Sequence, residues 1–119
     1  MKNQPFRERL SFALAGLQHA ARAEKSVRIQ IGAFIVVMVA MVLLRPEPEW
    51  WGLVLLASAG VLSTELLNTA VEHLADHLHP EIHPSIRIVK DCAAAAVFVA
   101  VLGAIAVAIA LAAHLLLKK

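Results

Sequence analysis

Hydrophobic and polar positions fall in long blocks along this chain, and the blocks have a helical period. Phe6, Leu10, Ala13, Leu14, Leu17 and Ala21 recur at helical spacing, with Arg7, Glu8, Ser11, Gln18 and Arg22 largely opposite. The pattern predicts an amphipathic helix over about 5–23, with Pro5 in its first turn, where a missing N–H is no loss. Its arginines suit a position on a membrane surface, and packing against the rest of the same protein suits the pattern equally well. A charged junction, Glu24-Lys-Ser-Val-Arg28, follows.

Three apolar runs then fill most of the remainder, at about 29–44, 50–71 and 92–117. The first reaches roughly 24 Å as a helix, short of a ~30 Å hydrocarbon core, and snorkelling by Arg28 and Arg45 would cover the deficit. Arg45-Pro-Glu-Pro-Glu makes a rigid turn, and Trp50 and Trp51 stand where an aromatic belt would lie. The second run leads into a polar segment, Glu72 to Asp91, carrying His73, His77, His79 and His83, with Pro80 and Pro84 as helix breakers. The third run has no Asp, Glu, Lys or Arg and opens on Cys92 and Ala93 to Ala96, small side chains that allow close helix contact.

Composition turns these helices into membrane spans. A chain of 119 residues that is 60% hydrophobic cannot bury its apolar runs in a water-soluble core of its own. The expected fold is an all-α membrane protein: an N-terminal amphipathic surface helix plus three transmembrane helices, in one domain over 1–119. The N-terminus is mixed in charge and does not read as a cleavable signal. The single cysteine, Cys92, reads as a small helix residue. A net charge of +2 with clustered basic residues argues against nucleic acid as a partner.

The clusters orient the chain. Lys2, Arg7, Arg9, Arg22, Lys25, Arg28, Arg87 and Lys90 lie on one side of the predicted spans, and Arg45, Lys118 and Lys119 on the other. The positive-inside rule puts the N-terminus and the His-rich segment in the cytoplasm.

The chemistry centres on Ser63 to Asp76. At 100° per residue, Asn68, Glu72 and Asp76 fall at roughly −60°, −20° and +20° from Glu65, so all four share one narrow face. Residues 50–64, in front of that face, contain no charge at all. Glu65 lies deepest in the hydrophobic part, and an intramembrane acid is a functional-site hypothesis by default. Carboxylates at a membrane boundary suit a hard cation such as Mg2+, which takes oxygen ligands and keeps waters or phosphate oxygens. Glu24 and Glu72 end at the same depth and are placed to hold such a metal. Lys90 is placed to neutralise phosphate, and Glu65 to accept a proton from a lipid hydroxyl. This geometry permits the chemistry without requiring it. A phosphate-binding GxxxxGK[ST] loop, the protein-kinase elements and zinc spacings are all absent from the sequence. The loop histidines read as a solvated segment, with a transition-metal site as the rival. Two non-enzymatic readings stand beside the enzymatic one: an ion or proton conduit with Glu65 as relay, and a membrane adaptor that uses the acidic face for helix pairing.

Glu65-Leu-Leu-Asn68-Thr-Ala-Val-Glu72, then Asp76, Glu81-Ile-His83 and Lys90-Asp91, resembles the small prokaryotic integral-membrane lipid kinases, the diacylglycerol kinase and undecaprenol kinase family. Gly16-Leu17, Glu24 and Arg28 extend the likeness over almost the whole chain. The resemblance implies a homotrimer in the bacterial cytoplasmic (inner) membrane, with active sites at subunit boundaries on the cytoplasmic side. It implies Mg2+- and ATP-dependent phosphorylation of a lipid alcohol. By position, Glu65 resembles the catalytic base, and Glu24 and Glu72 resemble the carboxylates that hold the ATP-bound metal. Asn68, Asp76, Glu81, His83, Lys90 and Asp91 resemble further nucleotide-site residues, and Phe12, Gly16 and Arg28 are assigned to the lipid interface. Phe12 stands where the best-known diacylglycerol kinases carry Tyr, and Ile29 and Gln30 where they carry Gln and Glu. The junction leans towards the undecaprenol kinases. Diacylglycerol is the expected acceptor and undecaprenol the alternative.

Overall fold

The computed structural model describes residues 3–81 and 83–118; Lys2 and Lys119 of the charge count and Ile82 of the motif lie outside them. Four helices follow one another: α1 (Phe6–Ala23), α2 (Lys25–Leu44), α3 (Pro48–Leu78) and α4 (Pro84–Leu117). α2, α3 and α4 are each long and apolar enough to cross a membrane. The described residues contain no strand, so the chain is an all-α multi-pass membrane protein with an N-terminal helix ahead of its spans.

The helix ends depart from the sequence reading in an instructive way. Pro5 is not in the first turn of α1 but caps it from outside, in an extended conformation, where its carbonyl accepts the first backbone bond, from Arg9 at 3.1 Å. Pro48 and Pro84 open α3 and α4 as first-turn residues. Pro84 therefore starts a helix where a break was expected, because a first-turn residue has no intrahelical acceptor to lose. The polar segment is accordingly helical on both sides of a short link. α3 continues through Leu78 and α4 is under way from Pro84, leaving residues 79–83 as the connection. At 31 and 34 residues, these helices are roughly 46 and 51 Å long, well beyond a ~30 Å hydrocarbon core. Their surplus runs on at the acidic end, where α3 finishes and α4 begins.

Two turns set the remaining geometry. At the first, Glu24 is extended (φ −113°, ψ 117°) and breaks α1 from α2. The Arg28 guanidinium reaches back and donates to the carbonyls of Ala21 at 3.0 Å and Arg22 at 2.8 Å. It thereby satisfies backbone acceptors that the end of α1 leaves open. Ala20 and Val27, on either side of the break, are buried. At the second, Arg45 caps α2 in the left-handed region (φ 50°, ψ 55°), its N–H bonded to Met41 O at 2.9 Å, and Pro46 forbids any continuation.

The apolar core is small and lies at the Arg45 end. Met41, Val54 and Leu111 bring α2, α3 and α4 together, with Trp50, Trp51, Met38, Val107 and Leu115 packed against them. The two tryptophans are half-buried in this cluster, so packing holds them and not only an interfacial belt. Most other large apolar side chains on α2 and α4 face outward, as spans in hydrocarbon require. α1 divides between the two roles expected of it. Phe6, Leu10 and Leu14 leave its apolar face uncovered, while Ala20 is buried and the His19 ring meets the His73 ring of α3 at 5.6 Å. An uncovered apolar face flanked by arginines is what a helix on a membrane surface presents.

Candidate active site

The acidic face forms as its periodicity requires, because α3 runs unbroken from Pro48 past Asp76. Glu65 is 6% exposed and is the one buried carboxylate among the described residues. It is held from α2: Ser26 Oγ donates to Glu65 Oε1, and Gln30 Nε2 lies 3.5 Å from Oε2. Gln30 and Ser26 were not among the expected site residues. The available signal was their polarity at i and i+4 in the first turns of an otherwise apolar helix. Gln30 also lines a cleft of about 700 Å³ between α2, α3 and α4, which is otherwise apolar apart from Ser58.

One turn further towards the membrane boundary, Asn68 is half-buried, and its Oδ1 is buried with no hydrogen-bond partner. A buried amide oxygen left unpaired is rare and calls for a donor or a cation. Glu72, on the same face, is half-buried, as is Glu24 at the α1–α2 break. α2 and α3 are antiparallel, and Ser26 already meets Glu65, so the start of α2 and the end of α3 share one end of the bundle. The His19–His73 contact pins α1 there, beside Glu72. Glu24 and Glu72 make no direct bond to each other.

The remaining expected residues surround the α3–α4 link. Lys90 Nζ donates to Asp76 Oδ1 at 2.6 Å, a pair that ties the end of α3 to the start of α4. Asp91 meets Arg87 Nε at 3.5 Å along α4. His83 caps α4: its Nδ1 accepts from the Ser85 N–H at 3.1 Å, which puts the proton of a neutral ring on Nε2. Glu81 lies in the link, where its carbonyl meets His79 Nδ1 at 2.9 Å. Phe12 and Gly16 are exposed on α1, and a Cβ added at Gly16 would meet nothing within 4 Å. Arg28, assigned to the lipid interface, has its guanidinium engaged in capping α1.

No group of three or more His, Cys, Asp or Glu side chains among the described residues is placed to hold a metal ion unaided. Glu24, Glu72 and the unpaired Asn68 Oδ1 offer oxygen donors at the acidic end, with the His19 and His73 rings beside them. The oxygen donors fit a hard divalent cation that completes its shell with water or phosphate oxygens.

An N-terminal helix, three helices long and apolar enough to cross a membrane and a buried carboxylate on one of them make a small multi-pass membrane protein. The comparison with known proteins agrees: residues 11–112 match the family described as prokaryotic diacylglycerol kinase. The chain belongs to that family and is a lipid kinase. It is 35% identical over 84 residues to the undecaprenol kinase of Bacillus subtilis, a match covering 71% of this chain and 68% of that protein. It is also 35% identical over 97 residues to the diacylglycerol kinase of Synechocystis sp., covering 81% of this chain and 55% of that protein. It thus spans little more than half the length of the second relative. Family membership sets aside the conduit and adaptor readings.

Proposed function

We propose that this protein transfers the γ-phosphoryl group of MgATP to the hydroxyl of a membrane lipid, with diacylglycerol as acceptor and phosphatidic acid as product. One observation carries the reading: Glu65, a carboxylate kept from solvent inside a span, on the same helix face as Asn68 and Glu72. Glu65 is the general base that takes the hydroxyl proton as the alcohol oxygen attacks phosphorus. Asn68, Asp76, Glu81, His83, Lys90 and Asp91 belong to the nucleotide site, with Lys90 as the cation that faces phosphate oxygens. Glu24 and Glu72 hold Mg2+, which when bound supplies charge neutralisation on the phosphates. The protein's own contribution is to position the two substrates and keep water away from the transferring group. Phe12, Gly16 and Arg28 place α1 where a lipid headgroup meets the boundary.

The active form is a homotrimer in the bacterial cytoplasmic membrane, with the acidic end facing the cytoplasm. Support for the orientation comes from the basic residues before α2 and at the start of α4, and the trimer follows from the family resemblance. Undecaprenol is a second acceptor reading, favoured by the undecaprenol kinase relative, which is matched over more of its own length. Purified protein in mixed micelles, given labelled MgATP with diacylglycerol or undecaprenol separately, tests both. Labelled phosphatidic acid is the expected product. Labelled undecaprenyl phosphate alone would replace the first acceptor by the second, and no labelled lipid from either with folded protein would sink the reading.

A further inference from the structure

Glu65 is contacted by two residues outside the expected site set. Ser26 and Gln30 lie one helical turn apart on α2 and meet the two oxygens of the same carboxylate, from 39 and 35 positions away in the chain. The two contacts are unequal. The Ser26 hydroxyl donates to Oε1, whereas Gln30 Nε2 is at the outer limit of bonding to Oε2. Gln30 is also left with its own Oε1 buried and unpartnered, so its amide is not settled by this arrangement. The hydroxyl is the firm contact.

A base works only if a lone pair stands within hydrogen-bond reach of the proton it removes, in a usable direction. A glutamate side chain has three rotatable bonds, and burial by itself does not choose the plane of the carboxylate. A hydroxyl donating to one oxygen fixes that plane, and charge assistance makes the bond short and directional. It leaves the other oxygen, only loosely held by Gln30, to face the incoming alcohol.

We propose that Ser26 is a positioning residue for phosphoryl transfer: its hydroxyl holds Glu65 Oε1 so that Oε2 is presented to the acceptor hydroxyl. The inference rests on the reading of Glu65 as the base. Ser26 itself touches neither substrate.

The test is a pair of variants of nearly equal shape, Ser26→Thr and Ser26→Val, which differ in keeping or losing the hydroxyl. Ser26 is exposed at the start of α2. With full-length protein in mixed micelles, kcat and both KM values are measured with MgATP and diacylglycerol. Ser26→Val is expected to lower kcat about tenfold or more with both KM values changed less than about twofold, and Ser26→Thr to recover most of kcat. In a Glu65→Gln background, Ser26→Val is expected to cost nothing further, because there is no base left to position. Equal losses in Thr and Val, a wild-type kcat in Val, or an effect confined to KM would overturn the proposal. If Val fails to fold, Ser26→Ala removes the hydroxyl without added bulk and carries the same expectation, a wild-type kcat in it overturning the proposal. Glu65→Gln at the wild-type rate would remove the base reading and this inference with it. Glu65→Gln inactive beside a fully active Ser26→Val would remove this inference alone.

Discussion

Lys90 reaches across the α3–α4 link to Asp76, Nζ to Oδ1 at 2.6 Å, and so joins two residues assigned to one nucleotide site. The pair has two separable consequences. Asp76 is 63% exposed and Lys90 34%, so as a tie between helices it contributes no more than about 1 kcal/mol. If Lys90 is also the counter-charge for phosphate proposed above, its larger contribution is to turnover. Lys90→Met is therefore expected to unfold within a few degrees of the parent while losing about tenfold or more of its kinase rate. Thermal unfolding in detergent and initial rates on the same preparation check this. A variant with full turnover would reduce the pair to a structural tie.

Glu65→Gln keeps the shape of the side chain and an oxygen able to accept from Ser26, and loses the ability to take a proton. The expected outcome is a loss of about 10²- to 10⁴-fold in kcat, with span packing and subunit assembly unchanged. Turnover together with size-exclusion profiles in detergent reads both. A dissociated oligomer with intact turnover would show that the acid serves assembly.

The four helices and the acidic face were legible because each follows from local periodicity: an apolar stripe in α1, uncharged runs in the spans, and carboxylates at helical spacing from Glu65 to Asp76. The helix ends were misread where a proline has two meanings. Pro84 sits inside a polar, histidine-rich stretch and looks like a breaker, yet it occupies the first turn of α4. The same stretch hid the surplus length of α3 and α4 beyond the membrane. The grip on Glu65 was only hinted at, by the polarity of Ser26 and Gln30 at i and i+4. It depends on how α2 is rotated against α3, which no spacing within either helix specifies, and Ser26 lies 39 residues from its partner. The engagement of Arg28 with α1 was missed for a similar reason: it depends on the extended conformation at Glu24.

If Glu24 and Glu72 share a divalent cation, neutralising either should weaken metal binding more than it weakens the fold. Glu24→Gln and Glu72→Gln are each expected to raise the Mg2+ concentration for half-maximal rate by about tenfold or more, while Glu8→Gln on exposed α1 leaves it unchanged. A Mg2+ titration at fixed ATP makes the comparison. Curves that superimpose on the parent would remove these two carboxylates from the metal site.

Arg45 ends α2 with positive φ, a conformation that costs a side-chain-bearing residue about 1 kcal/mol and glycine almost nothing. Pro46 follows and further narrows the choices at this position. Arg45→Gly is expected to stabilise the protein by up to about 1 kcal/mol, less the entropy glycine adds to the unfolded chain, and to leave kinase activity alone because the turn lies at the end away from Glu65. Thermal unfolding with a turnover control reads the sign, and a destabilised variant would mean that the guanidinium contributes more at this surface than the backbone loses.

That same end carries a charge cluster whose effect on stability has a definite sign. Glu47 precedes α3; its Oε2 lies 3.1 Å from His114 Nε2 and 3.6 Å from Lys118 Nζ, and the Trp50 ring lies against the His114 ring at 5.3 Å. The Glu47 carboxyl is held below its ordinary value of 4.5, first by its own backbone N–H and then by the hydrogen bond to His114, against an opposing effect of burial, with the charges of Lys118 and His114 adding lesser lowering effects. A carboxyl with a depressed folded value stays ionised where the unfolded chain has already taken up a proton, so the unfolded state binds more protons in that interval. The contribution to stability is then complete above 4.5 and lost as pH falls through the lower folded value. Glu47→Gln is expected to melt below the parent at neutral pH, with the gap closing only as pH falls below 4.5 and through the lower folded value, where both chains finally lack the charge. Melting curves at a series of pH values, with turnover at neutral pH as the control for the distant Glu65 site, give the test. A gap that stays constant down the series would assign the loss to packing against His114 and Trp50 instead of to charge.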